Sequence, residues 1–149
     1  MTTKSAYQPD GYQSVIPYLH VNGAARLIAF MKEVFEAKEI AVYPRPDGTV
    51  GHAALRIGDS VIELADVSAE WPAMPCALQV YVPDTDAAYH RALKAGANSL
   101  LPPATQFYGD RTASVRDSSG NNWYIATQIE VVSRKEVEKR LAAMGQSKK

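Results

Sequence analysis

The chain has 149 residues, enough for one domain or for two very small halves that share one fold. Hydrophobic residues make up 46% of it, so a packed core is expected and disorder is not. Sixteen basic residues balance sixteen acidic residues, and no basic block is interleaved with aromatic residues, which excludes nucleic acid as the main partner.

The single cysteine, Cys76, cannot form an internal disulfide, which is typical of a protein from a reducing cytoplasm. At the start of a predicted strand, we expect it to be a buried or half-buried side chain rather than a nucleophile. No apolar run reaches the length of a membrane span, and residues 1–13 have no signal-peptide core. We therefore expect a cytoplasmic protein with no membrane partner.

The chain begins with a polar, extended arm at 1–13, which either is disordered or lies on a neighbouring subunit. A strand is predicted at 14–21, with Tyr18 and His20 on one face, and Asn22 is the predicted N-cap of a helix. The apolar stripe of that helix is Leu27, Ile28, Met31, Val34 and Phe35. A strand at 39–43, a turn at 44–48 and a hairpin of 52–57 with 60–65 follow.

A linker at 67–75 leads to the second half. A strand at 77–82 precedes a helix at 85–95, which ends at Gly96 as a left-handed cap. The inner stripe of this helix is predicted to be Ala88, Tyr89, Ala92 and Leu93. The segment Pro102 to Thr105 is expected to break the next strand. The last predicted elements are a hairpin of 111–117 with 122–128 and a helix at 134–144, with the apolar stripe Val137, Leu141 and Met144.

The two halves repeat the same order of elements. Residues 14–66 and 76–130 each read as strand, helix, strand and hairpin. A half of this size cannot bury both faces of its own sheet, whereas two halves together can. We therefore predict an α+β fold of two tandem β-α-β-β-β modules whose curled sheets surround a cavity, followed by a C-terminal helix and tail at 131–149.

Four segments carry a resemblance to a known superfamily: PYLHVNGA at 17–24, GHAALRIGDS at 51–60, QFYGDR at 106–111 and RDSSGNNW at 116–123. With the doubled module they resemble the vicinal-oxygen-chelate superfamily, which includes glyoxalase I, bleomycin-resistance proteins, fosfomycin-resistance enzymes and extradiol dioxygenases. More narrowly, the chain is similar to the PhnB-like branch. The resemblance covers 14–130 as a single domain and implies a homodimer, in which the sheets of two chains complete each other's sites.

The resemblance also implies four metal-ligand positions, on the first strand and the last hairpin strand of each half. In this chain they hold Ile16, Glu63, Ala77 and Tyr124. Only Glu63 is an ordinary metal ligand, and a single carboxylate cannot hold a catalytic divalent ion against water. The implied metal site is therefore expected to be dismantled, and no cofactor is expected.

Glu63 is the central candidate of the site. It is a candidate general base, a group that orients a ligand, or half of an ion pair with Arg56 on the same face, and we favour the last two roles. His20, His52 and Glu63 also form the donor set of a facial-triad iron site. Against that we favour two hydrogen-bonded wall histidines, because His20 lies away from the inherited ligand position.

Aromatic and polar side chains complete the predicted site. The candidate ligand-binding residues are Tyr18, His20, His52, Arg56, Gln79, Tyr81, Tyr108, Arg111 and Tyr124, beside Phe107. The tyrosines either bind a ligand or fill the space that the missing metal leaves. The segment 106–111 is either a lid that offers Arg111 to an anion, or a strand bulge with Arg111 paired to Asp110 or Asp117.

Three functions follow from these alternatives. We favour metal-free binding of a small molecule. The second is a glyoxalase-like lyase or a dioxygenase-type enzyme that uses Glu63 with His20 or His52. The third is an interaction-only protein whose cavity is plugged by its own side chains. The expected partners are a small-molecule ligand or substrate and a second copy of the chain.

Overall fold

A computed structural model of the chain describes residues 6–147, so the first five residues of the predicted arm and the last two of the tail lie outside it. The chain divides into two compact units, residues 1–76 and 77–149. Each is described by itself below, as module one and module two. No helix within the described residues is long and apolar enough to cross a membrane.

Module one has the predicted order of elements. They are β1 (Tyr18–Val21), α1 (Ala24–Phe35), β2 (Lys38–Pro44), β3 (Val50–Ile57) and β4 (Ser60–Asp66). The sheet order is β1-β4-β3-β2, with β1 parallel to β4 and the other pairs antiparallel. The first strand is shorter than predicted, so Ile16 lies before β1 rather than within it.

The two faces of this sheet differ in burial. Leu19 and Val21 are buried under α1, whereas Tyr18 and His20 alternate with them toward the open face. The predicted stripe of α1 is confirmed, since all five of its residues are buried. The core of module one therefore lies between α1 and one face of the sheet, and the opposite face carries the polar candidates.

The start of α1 differs from the prediction. Its N-cap is Gly23, in the left-handed conformation with φ of 82°, and not Asn22. Gly23 has no side chain that could cap the helix, and Asp66 Oδ1 accepts hydrogen bonds from the N–H groups of Gly23 (3.1 Å) and Ala24 (2.9 Å). The cap comes from the end of β4, which local sequence signals cannot show.

The arm contacts its own module through Gly11 and Gln13. Gln13 pairs its side-chain amide with the backbone of Val61, donating to the carbonyl at 2.7 Å and accepting from the N–H at 3.0 Å. Arg56 Nη1 donates to the carbonyl of Gly11 at 3.0 Å. These contacts fix the path of the described part of the arm along the sheet.

Module two repeats the order and adds a helix. Its elements are β5 (Ala77–Tyr81), α2 (Thr85–Lys94), β6 (Asn98–Thr105), β7 (Asp110–Arg116), β8 (Asn122–Gln128) and α3 (Arg134–Ser147). The sheet order is β5-β8-β7-β6, with β5 parallel to β8. The predicted α+β class, with two repeated modules and a C-terminal helix, is confirmed.

Three details of module two correct the predictions. Pro102 does not break β6; the strand continues through it, with shifts of register between Ser99 and Ala104. Leu93, which was predicted to lie in the inner stripe of α2, is exposed. The predicted stripe of α3 is not buried either, since Leu141 and Met144 are exposed.

Candidate functional site

The open face of module one holds a chain of three polar side chains. Tyr18 and Glu63 are paired across β1 and β4, and Glu63 lies opposite Ala54 on β3. The Tyr18 hydroxyl lies 3.2 Å from His52 Nδ1, and His52 Nε2 lies 3.7 Å from Glu63 Oε2. Glu63 is the most buried of the three, and its carboxylate lies beside the imidazole of His52.

One arrangement of protons satisfies both contacts. Burial first, and then the Glu63 carboxylate, raise the pKa of Tyr18, so its hydroxyl stays protonated and donates to His52 Nδ1. With Nδ1 as the acceptor, the neutral tautomer of the imidazole has its N–H at Nε2, on the side of Glu63. At 3.7 Å this second contact is longer than a hydrogen bond, and it is electrostatic.

His20 adjoins this chain of side chains through the Tyr18 ring, with ring centroids 5.0 Å apart. Its ring stacks on the indole of Trp71, with centroids 5.5 Å apart and an interplanar angle of 16°. Its Nδ1 is buried and has no hydrogen-bond partner among the described residues. A pocket of about 400 Å³ opens beside this stack. It is lined by Tyr18, His20, Arg45, Gly51, Ala65 and Trp71.

Both predicted arginines are engaged elsewhere. Arg56 binds the carbonyl of Gly11 in the arm rather than Glu63. Arg111 forms a bidentate ion pair with Asp86 on α2, with both N–O distances at 2.9 Å. This pairing lowers the pKa of Asp86. Neither predicted partner of Arg111 is used, because α2 brings a carboxylate from another element.

The other two predicted partners of Arg111 have their own contacts. The Asp110 carboxylate accepts the Tyr81 hydroxyl at 2.8 Å, which raises the pKa of Tyr81. Asp117 closes the β7–β8 turn, where it accepts from the Trp123 indole at 2.8 Å and from Asn121. Tyr81 thus points its hydroxyl at a structural carboxylate.

Module two has a pocket of about 470 Å³ on the face of its sheet. Three of the predicted residues, Gln79, Tyr108 and Tyr124, line it. The remaining lining residues are Leu101, Pro102, Ala104, Gln106, Thr112, Ala113, Ser114, Ile125 and Ala126. Among the residues that the structure describes, none that lines this pocket is charged.

The register shows that the two faces correspond. Tyr18 pairs with Glu63 in module one, and Gln79 pairs with Tyr124 in module two, both across a parallel strand pair. In module one these two positions hold a tyrosine and a carboxylate. In module two they hold glutamine and tyrosine, which carry no carboxylate. The repeated scaffold presents two chemically different surfaces.

The segment 106–111 is a tight turn and not a lid. Gly109 has φ of 102°, and a Cβ there would lie 2.2 Å from the carbonyl oxygen of Glu130. Its own carbonyl accepts from the N–H groups of Ile129 (2.9 Å) and Glu130 (3.0 Å). Glycine is required here by a close backbone approach rather than by the mobility that a lid would need.

Helix α3 is fastened to the same turn. Arg140 donates to the carbonyl of Phe107 at 2.8 Å and to the carboxylate of Glu130 at 2.8 Å. A further ion pair joins it to Glu136, one helical turn earlier. The turn that carries Tyr108 to the pocket therefore rests on the C-terminal helix.

The residues at the implied metal positions do not fit a metal. Ile16 and Ala77 have no donor atom, and the neutral hydroxyl of Tyr124 is a poor ligand for a divalent ion. No three histidine, cysteine, aspartate or glutamate residues within 6–147 are grouped so that they could hold a metal ion. In particular, His20, His52 and Glu63 do not come together as the facial triad requires.

Comparison with known proteins gives the family. A family model described as Glyoxalase/Bleomycin resistance protein/Dioxygenase superfamily matches residues 15–125. The chain belongs to this superfamily. An uncharacterized protein of Mycobacterium bovis (strain ATCC BAA-935 / AF2122/97) is 32% identical over 143 residues, covering 87% of this chain and 92% of that protein. The predicted superfamily is confirmed.

Solved protein structures share the fold. TioX from Micromonospora sp. ML1 matches with a TM-score of 0.66 at 24% identity, over 78% of this chain and 98% of TioX. A PhnB protein from Bacillus cereus matches with a TM-score of 0.59 at 17% identity, over 77% of this chain and 99% of its own. These similarities concern the architecture.

Sequence reasoning missed two residues of the module-one pocket. Arg45 reads as part of a Pro-Arg-Pro turn, and Trp71 reads as part of a linker. The structure places both beside Tyr18 and His20. No local pattern marks either residue, because both come from connections whose position depends on the folded sheet.

Proposed function

We propose that this superfamily member is a metal-independent, cytoplasmic binding protein for a small neutral molecule, which occupies the pocket of module two. The observation that carries the proposal is the chemistry of that pocket. A space of about 470 Å³ is within the range of small-molecule sites, about 300–1,000 Å³. It is open, which argues against a protein whose cavity is plugged by its own side chains.

The polar groups of the pocket suit recognition. Tyr124 has no hydrogen-bond partner among the described residues, so its hydroxyl is available to a ligand. Gln106 Nε2 is already bound to Thr112 Oγ1 at 3.0 Å, which fixes that wall. The apolar floor of Ala113 and Ile125 would bury a ring, and the hydroxyl and amide groups at the rim would orient it.

Binding fits this pocket better than catalysis does. Its hydroxyl groups have no imidazole or carboxylate among the lining residues to act as a base. The residues at the implied metal positions, Ile16, Ala77 and Tyr124 among them, do not fit a metal ion. The ligand class that remains is an uncharged, partly aromatic molecule with a hydrogen-bonding group.

The experiment is a titration of ¹⁵N-labelled protein with quinoline-3-carboxamide, followed by two-dimensional NMR. We expect saturable shifts at the amides of Ala113, Ile125 and Ala126. Ala104→Phe adds a ring to an exposed lining position and should weaken binding at least about tenfold, because it fills the pocket. Asn98→Phe puts the same ring on the same strand outside the lining and should leave binding unchanged. Scattered shifts, or equal binding by both variants, would refute the proposal.

The enzymatic alternative ranks second and rests on the chain Tyr18, His52 and Glu63. Glu63, which lies 3.7 Å from the His52 imidazole, would take the proton from the carbon next to a carbonyl, and the protonated Tyr18 hydroxyl would donate to the carbonyl oxygen. Its test is deuterium incorporation next to the carbonyl of dihydroxyacetone in D₂O. If the native protein catalyses this deuterium exchange and Glu63→Gln does not, the enzymatic alternative is established over simple binding.

A further inference from the structure

Arg45 makes no hydrogen-bonded ion pair among the described residues, although its charge contributes, after the hydrogen bonds from Thr49, to the lowered pKa of Asp47. Its Nη2 donates to the carbonyl of Asp66 at 2.9 Å, and its Nη1 donates to the carbonyl of Val67 at 3.2 Å and to Thr49 Oγ1 at 3.3 Å. All three acceptors are neutral. Of the five N–H groups of a guanidinium, two remain without an acceptor among the described residues: Nε–H and one on Nη2.

The nearby carboxylates are already engaged. Asp66 accepts from three backbone N–H groups, those of Gly23, Ala24 and Val50. Asp47 accepts from the N–H and hydroxyl of Thr49, at 3.0 and 2.6 Å. The positive charge of Arg45 reaches the pocket, since it acts to lower the pKa of Tyr18 against the larger effects of burial and Glu63. A half-buried cation is left facing open space.

The other walls of this pocket are aromatic and rigid. Trp71 stacks on His20 with one face of the indole and is still 56% exposed. Its loop is closed by two hydrogen bonds with Ser68, at 2.9 and 3.0 Å. Tyr18 continues the wall, with its ring centroid 5.0 Å from that of His20.

Gly51 makes room for the cation. A Cβ at this position would lie 3.1 Å from Cγ of Arg45, closer than ordinary packing allows. The missing side chain lets the stem of Arg45 cross the strand and reach the pocket of about 400 Å³. The Arg45 guanidinium and the aromatic rings of Trp71 and His20 therefore line the same open pocket.

We propose that module one carries a second, separate site, which binds a planar aromatic carboxylate between Arg45 and the Trp71–His20 stack. A carboxylate matches two free N–H groups of a guanidinium, and its ring would lie against the indole. A monoanion is favoured over a phosphate dianion, because the Glu63 carboxylate also faces Tyr18. This site does not depend on the neutral ligand proposed for module two.

The experiment uses the two tryptophan indole signals of the ¹⁵N-labelled chain. Trp71 lines the pocket, whereas Trp123 is fully buried in module two with its indole donating to Asp117. Titration with quinoline-3-carboxylate should move the Trp71 signal saturably and leave the Trp123 signal in place. The isosteric quinoline-3-carboxamide should bind at Trp71 at least about tenfold more weakly, because it lacks the charge.

Two variants keep the test decisive. Arg45→Lys keeps the charge but loses the planar fork, and should weaken carboxylate binding about fivefold or more. Trp71→Leu changes an exposed side chain, so folding is preserved, and it should abolish the saturable shifts at the amides of Gly51 and Ala65. Ala104→Phe in module two should leave this binding unchanged. Equal affinity for carboxylate and carboxamide, unchanged affinity in either pocket variant, or no shift of Trp71 would overturn the proposal.

Discussion

The Asp66 carboxylate ties three elements of module one together. Its Oδ1 accepts from Gly23 and Ala24 at the start of α1, and its Oδ2 accepts from Val50 at the start of β3, at 2.8 Å. Asp66 itself ends β4. Asp66→Asn removes the charge and can present only one carbonyl oxygen to these three donors. The variant therefore loses at least one of the hydrogen bonds.

The expected loss of stability in Asp66→Asn follows from the type of hydrogen bond that is lost. A hydrogen bond to a charged group contributes about 1.5–3 kcal/mol, and a negative charge at a helix N-terminus adds about 0.3–1 kcal/mol. Because Asp66 is half-buried, we expect the free energy of unfolding to fall by about 2 kcal/mol. For a chain of this length that lowers Tm by about 4–8 °C.

The assay combines thermal unfolding with amide hydrogen exchange. The matched control is Asp84→Asn, since Asp84 caps α2 through a single hydrogen bond from Ala87 at 3.1 Å. We expect this control to cost about 1 kcal/mol or less. Only Asp66→Asn should accelerate exchange at the Val50 amide. Equal Tm shifts for the two variants, or unchanged exchange at Val50, would refute the bridging role.

Three further predictions concern other parts of the chain. Gly109→Ala should lower Tm far more than Gly48→Ala, because both have positive φ but only the first Cβ would collide, with the backbone of Glu130; equal shifts in thermal melts would contradict this. Glu63→Gln should change stability by less than about 1 kcal/mol, because its 3.7 Å contact with His52 is partly exposed; a loss of several kcal/mol in urea unfolding would show a stronger role. The chain should be a homodimer, since each sheet has open edges, and light scattering at micromolar concentration should give twice the mass of one chain; a monomer mass would reject it.

Local periodicity was sufficient to predict most of the fold. The stripe of α1 and the alternation of β1 each depend on residues close in sequence, and both are confirmed. The apolar face of α3 shows the limit of the same reasoning. Its spacing is amphipathic, but no neighbouring element among the described residues buries Leu141 or Met144.

The polar contacts could not be predicted, because they join distant elements. Arg111 has acidic neighbours in sequence, yet it pairs with Asp86, which α2 places beside it. Asn22 has the chemistry of an N-cap, yet Asp66 performs that role from the end of β4. Side-chain partners of this kind depend on topology, and a single sequence does not contain the distances.

The attachment of α3 makes the pocket of module two sensitive to the far end of the chain. Arg140 touches the Phe107 carbonyl and Glu130 from one face of the helix. One residue inserted between Ser133 and Arg140 would turn that face by about 100° and withdraw the guanidinium. The turn that carries Tyr108 would lose its hydrogen bond from Arg140, although no residue that lines the pocket is changed. Under the proposed binding, we expect a spectroscopic label on α3 to respond to occupancy of the pocket, which would make this helix a site for a ligand sensor.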